Sequence, residues 1–407
     1  MKRLFPLIPV LLLAVLMSPI QAVRAEEGVE ISHHQVTYSF ADQLHIEVEL
    51  DPSREVDRVD LILQSPRVPT FLGAMDRAAD GSWVFSYNLA QRPLPAFAPV
   101  TYAFRIGLED GGEITSESYT FPYLDNRHNW QQLREAPFEI YWYEGEITLA
   151  QQVLDAARQG RQQVLDLIQQ PGDSSQTIRI FIYPSEDQLQ QTLSSTNQSW
   201  VGGHAAPELG AAVVSLPTGV EQPLEVQRQI PHEITHIVLY RYMGTEYQYL
   251  PVWVSEGIAS LMEFYPRPEY EILLEKAVEE RGLIPLGQLC QAFPADSGLV
   301  QLAYAEADSV MRYIRSEYGV RGVQALIAAY DQGVSCGRGV EIALGKSLGR
   351  LEWEWKQSVF FRTRNLMLTA GLVGILFLLL AALAVFIFRR WCHQGEQTNG
   401  EVHERRQ

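Results

Sequence analysis

A chain of 407 residues carrying 49 Asp+Glu against 32 Lys+Arg, a formal charge of −17, presents a surface that repels phosphate backbones and anionic headgroups, which excludes nucleic acid as a partner. Its length allows two domains of ordinary size. Cysteine use is sparse, at three residues, which excludes a disulfide-dense scaffold. Met1-Lys2-Arg3, an apolar run from Leu4 to Met17 and the small-residue stretch ending at Ala25 have the order of a secretory signal, so residues 1–25 are expected to be removed on export. Near the other end, Leu366 to Phe388 carries no charge and is followed by Arg389-Arg390. A helix of that length crosses the roughly 30 Å hydrocarbon core, with the Arg pair marking its cytoplasmic end. The expected topology is an extracytoplasmic amino-terminal ectodomain, one span of the cell membrane bilayer over 366–388, and a short cytoplasmic tail over 389–407.

From Val29 to about Tyr123, short alternating apolar runs are separated by turn signals. Ile46 to Leu50 and Val56 to Leu61 alternate with period two, Val84 to Tyr87 and Tyr102 to Ile106 supply aromatic strands, and Asp80-Gly81 and Asp110-Gly111-Gly112 are turns. Regularly spaced short strands predict a β-sandwich over 26–124, of immunoglobulin-like or fibronectin-like architecture. Residues 125–136 read as a polar linker. Phe138 to Tyr143 then predicts a strand, Thr148 to Gln169 a helix, Thr177 to Tyr183 and Leu209 to Leu216 further strands, and the chain is almost wholly helical from there to the span. Strands followed by helices make the fold class α+β. Cys290 and Cys336 can form one disulfide in an oxidising compartment, although sequence does not fix their separation in space; Cys392, just inside the span, is a position for palmitoylation.

Within the helical pattern Leu224 to Tyr242 stands His232-Glu233-Ile234-Thr235-His236, a HExxH motif. Residues four apart share a helix face, so both imidazoles can reach one cation while Glu233 faces a water bound to it. The same residues would also suit a core helix with two buried histidines, flanked as they are by Ile230, Ile234, Ile237 and Val238. A second segment separates the readings. Pro251-Val252-Trp253-Val254-Ser255-Glu256-Gly257-Ile258-Ala259-Ser260 begins another helix and places Glu256 twenty positions after His236. A zinc hydrolase needs three protein ligands, one open position and a carboxylate base. His232, His236 and Glu256 supply the ligands for one Zn2+, and Glu233 the base.

HEITH followed by WVSEGIAS resembles the gluzincin zinc metallopeptidase pattern, HExxH and then W-x-x-E-G-x-A-S, of thermolysin-like and aminopeptidase-like enzymes and of peptidase-MA-like domains. Ala303-Tyr304-Ala305-Glu306 leading to Tyr313, and Ala343 to Leu348 leading to Trp353-Glu354-Trp355, resemble the helical tail of such domains. The resemblance implies a gluzincin-type catalytic domain over 137–362, mixed α/β and then all-helical, acting on a protein or peptide substrate. In that family a strand beside the catalytic helix binds extended substrate, and Leu209 to Leu216 stands where that strand is expected. Gly210-Ala211-Ala212-Val213 lacks the acidic residue that aminopeptidases place there, which implies internal cleavage over aminopeptidase activity. An oxyanion needs a hydrogen-bond donor; the candidates are Tyr304, Tyr313 and His204, with Tyr304 preferred. Trp253 reads as packing, and Ser260 as a hydrogen-bond partner of a ligand histidine. The alternative is a catalytically inactive gluzincin-like module for surface binding or adhesion. Oligomeric state is not legible.

Overall fold

A computed structural model describes residues 29–51, 55–172, 175–194, 203–360, 379–380 and 383–385. The expected signal 1–25, Cys392 and the expected span, apart from 379–380 and 383–385, lie outside the described residues. Among the described residues no helix is long and apolar enough to cross a membrane. The chain divides into two compact units, with the boundary between Arg127 and His128.

The first unit is all antiparallel strand. One sheet orders β1 (Glu30–Ser39), β2 (Gln43–Asp51), β5 (Asp76–Arg77) and β6 (Trp83–Asn88) as β1-β2-β6-β5. The other orders β3 (Val56–Gln64), β4 (Phe71–Ala74), β7 (Pro99–Leu108) and β8 (Glu113–Thr115) as β4-β3-β7-β8, with β9 (Tyr119–Pro122) also on β7. Period-two patterning drives this arrangement: Leu44, Ile46 and Val48 on β2, and Val59, Leu61 and Leu63 on β3, are buried on one face. Rings meet between the sheets, Phe71 lying 5.4 Å from Phe85 and 5.0 Å from Tyr87 by centroid. Asp60 is buried and is matched by the Arg105 guanidinium at 2.9 and 3.2 Å, as a buried charge requires.

The second unit carries a five-stranded sheet backed by helices. Its strands are β10 (Gln131–Glu135), β11 (Phe138–Trp142), β12 (Ile178–Tyr183), β13 (Gly203–Ala206) and β14 (Ala211–Ser215), in the order β10-β11-β12-β14-β13. The inner three run parallel, and β10 and β13 pair antiparallel at the two edges. β12 and β14 are apolar because both their faces are covered. β10 falls inside the stretch expected to be a linker. As an edge strand it turns only Leu133 inward and keeps its other side chains exposed, so its polar composition hides it.

Helix α1 (Ile147–Ile168) links β11 to β12, and α2 (Glu186–Ser194) follows β12. After β14 come α3 (Gln222–Met243), α4 (Val252–Met262), α5 (Pro268–Glu280), α6 (Ser297–Tyr330) and α7 (Cys336–Leu344), and then a helix over 348–360. Two glycines set the spacing between helices. A Cβ on Gly160 of α1 would stand 2.9 Å from Pro231 Cα of α3, and one on Gly257 of α4 would stand 2.6 Å from the Ala307 carbonyl oxygen of α6. Asp296 caps α6 by accepting from the Gly298 and Leu299 N–H groups at 3.0 and 3.1 Å, and Gly319 breaks that helix with φ 66° and ψ −168°. Cys290 and Cys336 form a disulfide, their Cα atoms 6.0 Å apart.

Candidate metal centre

The HExxH segment lies in the middle of α3, where the i, i+4 spacing turns both histidines to one side, with ring centroids 5.1 Å apart. Glu256 arrives from α4. That helix starts on Pro251, and its first N–H, on Val252, donates to the Cys290 carbonyl at 3.0 Å, so the disulfide-bonded segment fixes where the helix begins. Glu256 Oε2 then stands 3.2 Å from His232 Nε2 and 3.5 Å from His236 Nε2. One ligand atom from each of the three residues lies within 4.8 Å of the others. Zinc bonds of 2.0–2.2 Å in a tetrahedron hold donor atoms roughly 3.3–3.6 Å apart. Both oxygen-to-nitrogen distances match that spacing, so the three residues could hold such an ion.

The far ring nitrogens have partners. His232 Nδ1 is 3.1 Å from Glu263 Oε1. His236 Nδ1 is 3.1 Å from both Ser255 Oγ and Tyr247 OH, which stand 3.0 Å from each other. With a metal bound, such outer contacts would fix the tautomer that presents Nε2 to it. Sequence reading missed all three residues. Ser255 is the neighbour of Glu256, and Glu263 follows it by seven positions, about two helical turns; both were legible as polar residues flanking the ligand. Tyr247, in a 3-10 turn over Gly244–Tyr249, gave no signal. Ser260, expected to support a ligand histidine, does not: its hydroxyl is buried without a hydrogen-bond partner, and Ser255 takes that place. Trp253 is fully buried in the core.

Charge sharpens the division of labour. Burial alone would raise Glu256, but the His236 charge and the hydrogen bonds from His232 and His236 hold its carboxyl well below the usual range. Burial also lowers His232, yet its bonds to Glu256 and Glu263 push it up to about 10. Glu233 is buried, and its desolvation, with Glu256 and Glu263 nearby, raises its carboxyl against the pull of the two histidines. Tyr304 packs edge-on against Phe293 at 5.0 Å. The Glu256 charge, burial and the Glu233 charge drive its phenol far up, so it keeps its proton at any working pH. Burial and then the Glu354 and Glu317 charges raise the Tyr313 phenol, and Glu233 and Glu256 are not among the causes. His204 lies on β13.

The substrate-strand expectation needs correction. Ala211–Ser215 is an interior strand, paired to β12 and β13 on its two sides. The edge strand is β13, and it leads into the 3-10 turn Pro207–Leu209, which carries Glu208. The charge of Glu208 reaches Tyr247. The absence of an acidic residue at 210–213 therefore says nothing about the edge.

No curated protein matches the chain. Among solved structures it is similar to a carbohydrate-binding module family 56 β-1,3-glucan binding domain, with 14% identity and TM-score 0.17 over 22% of this chain and 95% of that one. It is similar also to a structure described as a myokine, at 12%, 0.19, 23% and 93%, and to a GH family 64 laminaripentaose-producing β-1,3-glucanase from Paenibacillus barengoltzii, at 11%, 0.18, 27% and 26%. Likenesses of that size carry no functional conclusion. Residues 159–361, which contain all the residues described above for the candidate centre, match the family model of the Peptidase MA superfamily, which supports a peptidase-MA domain there.

Proposed function

We propose that this chain is a zinc metallopeptidase of the gluzincin type, held to the outer face of a cell membrane by one span over 366–388. The observation that carries the reading is the convergence of His232 Nε2 and His236 Nε2 on Glu256 Oε2 at 3.2 and 3.5 Å. Zinc held by these three residues would supply a Lewis acid that acidifies a water and polarises a carbonyl. Glu233 accepts the proton as the water oxygen attacks the scissile carbonyl carbon, and its raised carboxyl suits a base that must then give that proton to the departing amine nitrogen. Tyr304, always protonated, donates to the oxygen on which negative charge develops. Glu263 and the pair Ser255 and Tyr247 hold the two imidazoles still. An inactive binding module would have no need of a buried Glu233, whose desolvation costs stability.

Anchoring rests on the uncharged run from Leu366 to Phe388 with Arg389-Arg390 behind it, and export is supported by the disulfide, a bond of oxidising compartments. We assign internal cleavage, because β13 itself, Gly203-His204-Ala205-Ala206, carries no acidic side chain to select a free amino terminus. Glu208, just beyond it, favours a second reading in which single amino-terminal residues are released. Paired fluorogenic peptides of one sequence, amino-terminally free or acetylated, separate the two on the full chain in detergent. Equal cleavage at an internal bond is expected; stepwise release from the free peptide alone, lost in Glu208→Gln, would overturn the assignment.

A further inference from the structure

We propose that Arg267 is a positioning residue for the metal centre, one that sets metal affinity by fixing Glu263 and, through it, the ring of His232; the inference rests on the zinc reading above. Glu263 lies one residue past the end of α4, with extended backbone at φ −58° and ψ 137°, so no helical turn constrains its side chain. Its carboxylate is aimed from outside. Arg267 Nε donates to Glu263 Oε2 at 3.0 Å and to Oε1 at 3.3 Å, and Oε1 is the oxygen that meets His232 Nδ1 at 3.1 Å. The Glu263 side chain is 3% exposed and that of Arg267 19%, so water competes little for these contacts.

Arg267 is itself built into place. It stands between Pro266 and Pro268, and Pro268, the first residue of α5, confines it to extended backbone, observed at φ −99° and ψ 104°. The Pro266 carbonyl accepts from Arg228 Nη2 at 2.7 Å, and the Phe264 N–H donates to the Gln227 carbonyl at 3.1 Å. Gln227 and Arg228 lie on α3, one turn before His232. The loop that aims Arg267 is thus pinned to the helix that carries the ligand, which closes a circuit from α3 through the loop, Arg267 and Glu263 back to His232. The guanidinium also faces Glu225 at 3.8 Å and the Tyr270 ring at 6.0 Å.

Removing the outer partner of a ligand histidine costs roughly 10- to 100-fold in metal affinity, and Arg267 acts one contact further out. The test is the zinc dissociation constant of the full chain in detergent, by competition with a fluorescent chelator, for Arg267→Gln, Arg267→Lys, Glu263→Gln and the double variant Glu263→Gln/Arg267→Gln. Arg267→Gln is expected to weaken binding about tenfold, within the range above, with Arg267→Lys between it and wild type. The double variant should bind no more weakly than Glu263→Gln alone, because Arg267 then has nothing to act through. Wild-type affinity in Arg267→Gln, or losses that add in the double variant, would overturn the proposal. Should Arg267→Gln not fold by thermal melting, Arg267→Lys decides by the same comparison, with wild-type affinity again the contrary result. A wild-type chain that binds no zinc would instead remove the reading on which the proposal rests.

Discussion

Gly257, the residue after the third candidate ligand, offers a perturbation whose size can be worked out from the packing of α4 on α6. A Cβ there would sit 2.6 Å from the Ala307 carbonyl oxygen and 3.0 Å from Met311 Cβ. Ordinary contacts begin near 3.4 Å, and the obstructing atom is backbone, so α6 must retreat by about 0.8 Å at that point, the shortfall between the two distances. Overpacking of this kind costs about 1–3 kcal/mol. In a domain of this size each kcal/mol is worth about 2–4 °C in Tm. Tyr304 lies one turn before Ala307 on the same helix and moves with it, whereas the ligands sit on α3 and α4. Gly257→Ala should therefore keep one zinc per chain, melt several degrees lower, and lose about 10- to 100-fold in kcat/KM, since a displacement near 1 Å can cost about two orders of magnitude. The assays are metal analysis, calorimetry and peptide hydrolysis. Full activity at a lowered Tm would refute the placement of Tyr304; loss of zinc would show that α4, not α6, yields.

Two other substitutions, at Tyr304 and Glu306, separate catalysis from stability. Tyr304→Phe should leave zinc content and KM near wild type while kcat falls about 10²- to 10³-fold, the effect of removing one donor to a developing oxyanion; an unchanged kcat in steady-state hydrolysis would exclude Tyr304 from that role. Glu306, fully buried on α6, accepts from the Ile284 N–H at 2.8 Å, and burial pushes its carboxyl up to about 8 against that bond and the Lys356 charge. The unfolded chain ionises at the ordinary 4.5, so the native state alone holds the proton between these values, and stability falls as pH rises from about 4.5 to about 8. At about 1.4 kcal/mol per pH unit the contribution amounts to a few kcal/mol. Glu306→Gln keeps the acceptor and should flatten the decline in Tm over that interval; a slope equal to wild type would show that Glu306 does not cause it.

The periodicities that are strongest in the sequence correspond to the elements that place the site. β2 and β3 follow period-two runs, and α1 and α3 begin and end within two residues of their apolar patterns. The convergence of His232, His236 and Glu256 was legible because HExxH and a later Glu are local signatures of one chemistry. What escaped depends on tertiary contacts. β10 is polar because it is an edge. β13, only four residues long, is an edge by pairing order, which no local pattern encodes. Ser255 and Ser260 lie five apart on one helix, and only the packing of α4 on α3 decides which hydroxyl reaches His236. The disulfide was an open choice until α7 brought Cys336 beside Cys290.

In the function proposed above, His232, His236 and Glu256 hold a zinc ion and Glu233 takes the proton of the attacking water. The most direct test measures zinc content and cleavage of an unstructured protein by the purified full chain, wild type beside Glu233→Gln, with and without a chelator. One zinc per chain is expected in both proteins, with chelator-sensitive cleavage by wild type and a Glu233→Gln variant that is loaded but inactive. Cleavage that survives Glu233→Gln, or a wild-type chain without zinc, would contradict it.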